Sequence, residues 1–148
     1  MAESYEVSSV KAGLNVSPSV MWQIKAGGMR VKVKEIGVFV AQSPATAPVF
    51  TLFRSATTGT ATTSLAGQLC DVAGNASAAA LETTWSTAPT VGAVPFRHIP
   101  MALTPGAGVI LTFPEPIVIP INGGLSIVNL NAAGLTIGQF SCYVKFDE

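Results

Sequence analysis

Apolar and polar residues alternate strictly along several short stretches of this chain, and a two-residue period is that of a β-strand. Arg30-Val31-Lys32-Val33-Lys34 puts Val31 and Val33 on one face and the three bases on the other. The alternation resumes out of phase at Ile36, Val38 and Val40, so one residue is inserted near Glu35 or Gly37, as in a β-bulge. Near the end of the chain, Phe140, Cys142, Val144 and Phe146 share one face and read as core. Gln139, Ser141, Tyr143 and Lys145 form the opposite, mixed face. Further strands are expected at 49–54, 65–72, 82–87, 94–103, 108–113, 117–121, 125–130 and 135–146, with a helical turn at 76–81. Turn chemistry separates them at Pro105-Gly106, Asn122-Gly123-Gly124 and Asn131 to Gly134.

No stretch sustains a helical period, and 14 Gly and 10 Pro are scattered through the whole length. The expectation is an all-β fold: a two-sheet antiparallel sandwich of jelly-roll type, as a single domain. Residues 23–148 would form the sandwich. Residues 1–22 lack a clean period and read either as an extended N-terminal arm or as an ordinary first strand.

Composition narrows the function classes. The 148 residues include eight Lys and Arg and eight Asp and Glu, a charged fraction of 11% against roughly 25% in ordinary soluble domains. Zero net charge argues against a nucleic-acid partner, which would demand a basic surplus. A hydrophobic fraction of 49% excludes disorder. The uncharged stretch 116–144 is interrupted by Pro120, Asn122, Gly123, Gly124 and Gly134, so no membrane partner is expected. The first residues lack a basic n-region and an apolar h-region, so no signal peptide is expected. Cys70 and Cys142 read as two free buried thiols in a reducing cytoplasm.

Catalytic chemistry is scarce. One histidine, His98, lies inside an expected strand, and Glu35, Glu82 and Glu115 are isolated mid-chain carboxylates. No catalytic residue, metal site or cofactor is assigned. Lys25, Arg30, Lys32 and Lys34 hold half of the positive charge; they read as a solvated strand face or as a basic strip that docks on an acidic partner. Trp22 and Trp85 read as core or interface anchors, or as platforms for a sugar ring. In Pro114-Glu115-Pro116-Ile117-Val118-Ile119-Pro120-Ile121 both strand faces are apolar, so one should pack inward and the other against another copy.

Glu82-Thr83-Thr84-Trp85-Ser86-Thr87-Ala88-Pro89-Thr90, the block from Gly108-Val109-Ile110 through Ile119-Pro120, and the close from Gly124-Leu125-Ser126 to Phe146-Asp147-Glu148 resemble small jelly-roll proteins among the structural genes of tailed bacteriophages. The resemblance covers roughly residues 80 to 148. It implies a capsid decoration, or cement, protein: a homotrimer made in the host bacterial cytoplasm, bound to the major capsid protein on the outer surface of the virion, stabilising the expanded head by bridging capsomers. The alternative is a carbohydrate-binding or receptor-binding jelly-roll module of a head fibre or tail component. Composition supplies the expected contacts. Tyr5, Val7, Val10 and Leu14, with Lys25, Arg30, Lys32 and Lys34, would meet the capsid; Ile117, Ile119, Trp85 and His98 would meet other copies.

Overall fold

The computed structural model describes residues 2–13, 19–44, 46–71, 74–130 and 138–148. Leu14 and the turn expected from Asn131 to Gly134 lie outside them. The described residues form strands in the order β1 (Ser4–Ala12), β2 (Ser19–Lys25), β3 (Val31–Gln42), β4 (Val49–Thr57), β5 (Thr60–Ala66), β6 (Gln68–Leu69), β7 (Ala80–Thr87), β8 (Thr90–Pro100), β9 (Gly108–Ile119), β10 (Gly124–Asn129) and β11 (Gln139–Asp147). Two antiparallel sheets pack face to face as a jelly-roll-like sandwich. Sheet A has the order β6-β1-β11-β3-β9, and sheet B the order β5-β7-β2-β10-β4-β8.

Sheet A is built on alternation. Val31, Val33, Ile36, Val38 and Val40 of β3 point inward, as do Phe140, Cys142, Val144 and Phe146 of β11. The phase break in β3 falls at Lys34: Lys145 pairs with Glu35 and Phe146 with Val33, leaving Lys34 unopposed. On the other side of β3, residues 113–116 stand opposite Lys34 alone. Pro114 and Pro116 cannot donate to a ladder, and an edge strand is where such residues are tolerated. The two strands expected at 108–113 and 117–121 are therefore one strand, β9, with a bulge.

Sheet B is built differently. β4 and β8 pair from Val49↔Pro100 to Thr57↔Thr90, and the ladder continues through β5 and β7 from Thr60↔Thr87 to Ala66↔Ala80. The two stretches form one long ribbon, bent at Thr58-Gly59 and Ala88-Pro89. Gly59 sits at φ +67°, where a Cβ would come within 2.3 Å of the Thr87 carbonyl oxygen. Beyond the bend the ribbon's halves flank the β2–β10 pair, β7 joining β2 and β4 joining β10.

The helical turn expected at 76–81 does not form. The Ser77 hydroxyl accepts from the Ala79 amide at 3.1 Å and lies 3.0 Å from the Ala79 carbonyl, a local bonding pattern that competes with helix. Ala80 then enters β7 opposite Lys25 and Ala66. Residues 4–12 form β1, inside sheet A between β6 and β11, and the boundary at residue 22 falls within β2. Cys70 and Cys142 are free thiols, but Cys70 is exposed because it follows the short edge strand β6; only Cys142 is buried.

The sheets meet on aromatic rings. Phe50 of sheet B lies 5.2 Å from Phe140 of sheet A, edge to face, and 6.0 Å from Trp22. Tyr5 and Phe146 stack at 5.5 Å. Since Phe50 is fully enclosed, Phe50→Ala should destabilise the fold by about 3–5 kcal/mol, read as a lower urea midpoint at unchanged slope.

Candidate functional site

On the outer face of sheet A, Tyr143 of β11 pairs with Gly37 of β3, and Phe39 of β3 pairs with Gly108 of β9. With no side chain at either glycine, each ring lies across the neighbouring backbone. A Cβ on Gly37 would sit 2.1 Å from the Tyr143 ring, and one on Gly108 would sit 2.0 Å from that of Phe39. The rings are 6.2 Å apart, with planes within 20° of each other. Ile110 and Val10 stand exposed on the same face.

One row further along the strands the face turns polar: Glu6, Lys145, Glu35 and Thr112 are successive partners across β1, β11, β3 and β9. The Tyr143 hydroxyl donates to Glu35 Oε1 at 2.7 Å, Lys145 Nζ lies 3.2 Å from the same oxygen, and Thr112 donates to Oε2 at 3.4 Å. Glu6 Oε2 is 4.0 Å from Lys145 Nζ. Its bonds to Tyr143 and Lys145 hold the Glu35 carboxyl below the usual carboxylate range. Burial, then the bond to Glu35, push the Tyr143 phenol up to about 12. Sequence alone points to neither Phe39 nor Tyr143 as a site residue. Their signal, an aromatic opposite a glycine on the neighbouring strand, exists only once the register is known.

Several expected contact residues are placed elsewhere. Tyr5 and Val7 face the core, because β1 is an internal strand with an inward face, and so they are removed from any surface contact of the folded chain. Val10 stays exposed. The basic residues are divided. Lys32 and Lys34 project from the outer face of sheet A, where Lys34 Nζ pairs with Asp147 Oδ2 at 2.7 Å, and Arg30 is exposed just before β3. Lys25 belongs to sheet B, 3.5 Å from Glu82. Divided between two sheets, the four bases form no continuous strip.

Ile117 and Ile119 pack into the core, which corrects their expected place at an oligomer contact. The alternation of β9 turns Val118 outward instead. His98 is exposed on β8, its Nδ1 2.9 Å from the Thr51 hydroxyl. Trp22 is enclosed, and the half-buried Trp85 carries the Lys11 ammonium 5.1 Å from its ring centroid.

Around Trp85 lies a polar knot that sequence did not foreshadow. Glu82 is buried, yet it accepts from the Trp85 indole at 3.1 Å and from the Gln23 amide at 2.9 Å. Gln23 also donates to the Thr58 carbonyl at 2.8 Å in the ribbon bend, and accepts from Ser55 at 2.6 Å. Glu35 and Glu82 lie on the outer faces of opposite sheets, so they cannot converge on one glycosidic bond. Among the described residues, no group of three or more His, Cys, Asp or Glu side chains could hold a metal ion. No helix of the described residues is long and apolar enough to cross a membrane.

Lys11 reaches from β1 into sheet B where β2 and β7 part beyond Gln23↔Glu82. Its Nζ donates to the Met21 carbonyl at 3.0 Å and to the Thr83 carbonyl. Burial pushes its ammonium down to about 8.

At the β8–β9 side of the sandwich, Arg54 of β4 donates to the Val118 carbonyl at 2.8 Å and its guanidinium lies 5.1 Å from the centre of the Phe96 ring. Val94 is 79% exposed, Phe96 45% and Val118 41%.

No family model matches the chain, and no curated protein matches it. Among solved structures, the Clostridium thermocellum endo-1,4-β-D-xylanase 10B CBM22-1–GH10 modules complexed with xylohexaose are similar to it at 13% identity and a TM-score of 0.28. The alignment covers 99% of this chain and 26% of that one, so the chain spans about a quarter of that protein's length.

The phenols give a direct test of this geometry. The chain has two tyrosines; Tyr143 is pushed up to about 12, and so is Tyr5, chiefly by its bond to Glu3. A near-ultraviolet titration should therefore show little phenolate at pH 10, and Glu35→Gln should move one of the two transitions downward. An unchanged titration in that variant would disprove the Tyr143–Glu35 bond.

Lys11 supplies a second test. With its folded value near 8 and its ordinary value 10.5, the unfolded chain binds more protons between those limits, so stability should rise with pH. A neutral amine still has two hydrogens for the two carbonyls, so the bonding survives deprotonation. The urea midpoint should be higher at pH 9.5 than at pH 7.5, and Lys11→Met should remove that rise and leave the opposing fall due to the Cys142 thiol, which burial pushes up.

Proposed function

We propose that this chain is a non-enzymatic virion structural protein that binds the outer surface of a tailed-phage capsid as a homotrimer. In this role it contacts the major capsid protein and bridges capsomers, stabilising the expanded head. The observation that carries the reading is the exposure of large apolar side chains on the two edge strands β8 and β9: Val94 and Phe96 on one and Val118 on the other, with Arg54 against the Phe96 ring and the Val118 carbonyl. Burying such side chains against another protein removes apolar area from water at roughly 25 cal/mol per Å². The resemblance of residues 80–148 to phage decoration proteins supplies the identity of that partner. The near absence of charge supports the same reading, because a surface poor in charge suits permanent cover by other copies and by a shell.

The mechanism is selective binding. A protein that binds the assembled shell and not its separated parts stabilises the shell by about RT ln(1 + [L]/Kd) per site. Three linked copies raise the effective affinity beyond that of one. The capsid-facing surface is assigned to Arg30 and Lys32 at the start of β3, several residues along the strand from Gly37 and Phe39. The oligomer contact is assigned to Val94, Phe96 and Val118.

Native mass spectrometry and head-binding assays test this. The wild-type chain should run as a trimer at micromolar concentration, bind expanded heads and raise their melting temperature. The double variant Val94→Glu, Phe96→Glu should become monomeric with its own melting temperature nearly unchanged, since both positions are exposed. A monomeric wild-type chain that leaves heads unprotected would sink the proposal.

A further inference from the structure

The outer face of sheet A combines two flat rings with a row of hydrogen-bonding groups beside them, a pairing that neither the core nor the β8–β9 side requires. Packing a ring over a glycine on the neighbouring strand helps the strand pairing, and here it also leaves two rings lying flat on the outer face. A side chain at either glycine would displace the ring from the sheet. The glycines let Tyr143 and Phe39 lie down, so that each ring is held from below by backbone. Tyr143 is pinned further by its 2.7 Å bond to Glu35. A ring fixed in this way loses little conformational freedom when something stacks on it.

We propose that this face binds a neutral glycan chain, its sugar rings stacked on Phe39 and Tyr143 and its hydroxyls bonded to Glu6, Lys145, Glu35 and Thr112. Charge selects the occupant. Lys32, Lys34 and Lys145 are matched on this face by Glu6, Glu35 and Asp147, and Lys145 lies between two of those carboxylates. Such a balanced face gives no attraction to a polyanion such as nucleic acid. The apolar strip is narrow as well, since Ser8 and Ser141 pair with Tyr143 and Phe39 across the ladder and the charged row begins one position away. A helix or a second copy would have to cover those charges to use the rings. A pyranose needs what is present: an aromatic face for its C–H side, and donors and acceptors within one residue step for its rim. The near-parallel rings, 6.2 Å apart, suit successive sugars along one chain.

The isolated protein tests this independently of any capsid. Native gels cast with dextran, hydroxyethylcellulose or galactomannan should retard the wild-type chain in at least one polysaccharide. Phe39→Leu keeps an apolar side chain but removes the flat face, and should weaken that binding about tenfold. Tyr143→Leu should act in the same direction. Leu65→Ala, at an exposed position of β5 in the other sheet, should bind as the wild type does. Melting temperatures of all variants are measured alongside, and Phe39→Leu should stay close to the wild-type value. No retardation in any of the three gels would overturn the proposal, as would retardation unchanged by both ring variants. So would a drop in oligomeric order in Phe39→Leu without polysaccharide binding, which would make the face a contact between copies.

Discussion

The bend in the ribbon formed by residues 49–66 and 80–100 determines most of the architecture of the second sheet. At Gly59 the backbone takes a positive φ with no room for a Cβ, and on the facing strand Pro89 withholds a donor at the same turn. The halves can then clasp the β2–β10 pair from both sides. Thr58 is carried over Gln23, which closes the buried knot of Gln23, Ser55, Glu82 and Trp85. Leaving any member of such a knot unpaired would cost more than its bonds contribute, so the polar interior holds the bend as firmly as the bend encloses it. The same clasp leaves β8 at an edge, with Val94 and Phe96 turned to solvent.

Whatever alternates is legible in the sequence. β3 and β11 can be read residue by residue, including the phase break, because each buries one whole face against the opposite sheet. Within the ribbon, β5 leaves no signal in the sequence because Thr, Ser and Ala fill it, nearly all of it exposed, and a strand with no deeply buried face has no period. Tyr5 and Val7 resemble members of an arm for a related reason: two inward residues are too few to establish a period before the pairing with β11 is known. The candidate site is hidden by distance along the chain. Lys25 and Lys34 are close in sequence and lie in different sheets, whereas Tyr143 and Gly37 are remote in sequence and directly paired.

Few as they are, the charged groups are not spread evenly in purpose. Glu82 and Lys11 are drawn inward, one into the knot under the bend and the other onto two strand carbonyls where β2 and β7 separate. Those on the outer face of sheet A are interleaved by sign. The β8–β9 side mixes exposed Val94, Phe96 and Val118 with the charges of Arg54, Arg97 and Glu115, the Arg54 guanidinium 5.1 Å from the centre of the Phe96 ring. The two outward surfaces thus differ in kind: one exposes large apolar side chains along two edge strands, and the other sets two rings beside a row of charges balanced by sign.

The pairing of β1 with β11 joins Ser4 to Asp147, and the amides and carbonyls of Glu3 and Glu148 bond to each other at 3.2 and 3.1 Å. Among the described strands β1 is made first and its main partner last, so sheet A cannot close during their synthesis. Until β11 emerges, the nascent chain must keep the inner faces of β1 and β3 from competing partners, and topology of this kind folds slowly. The arrangement couples closure of sheet A to the emergence of β11. A ribosome that stalls before β11 leaves a chain without the central strand of sheet A, and β1 and β3 without the partner that joins them.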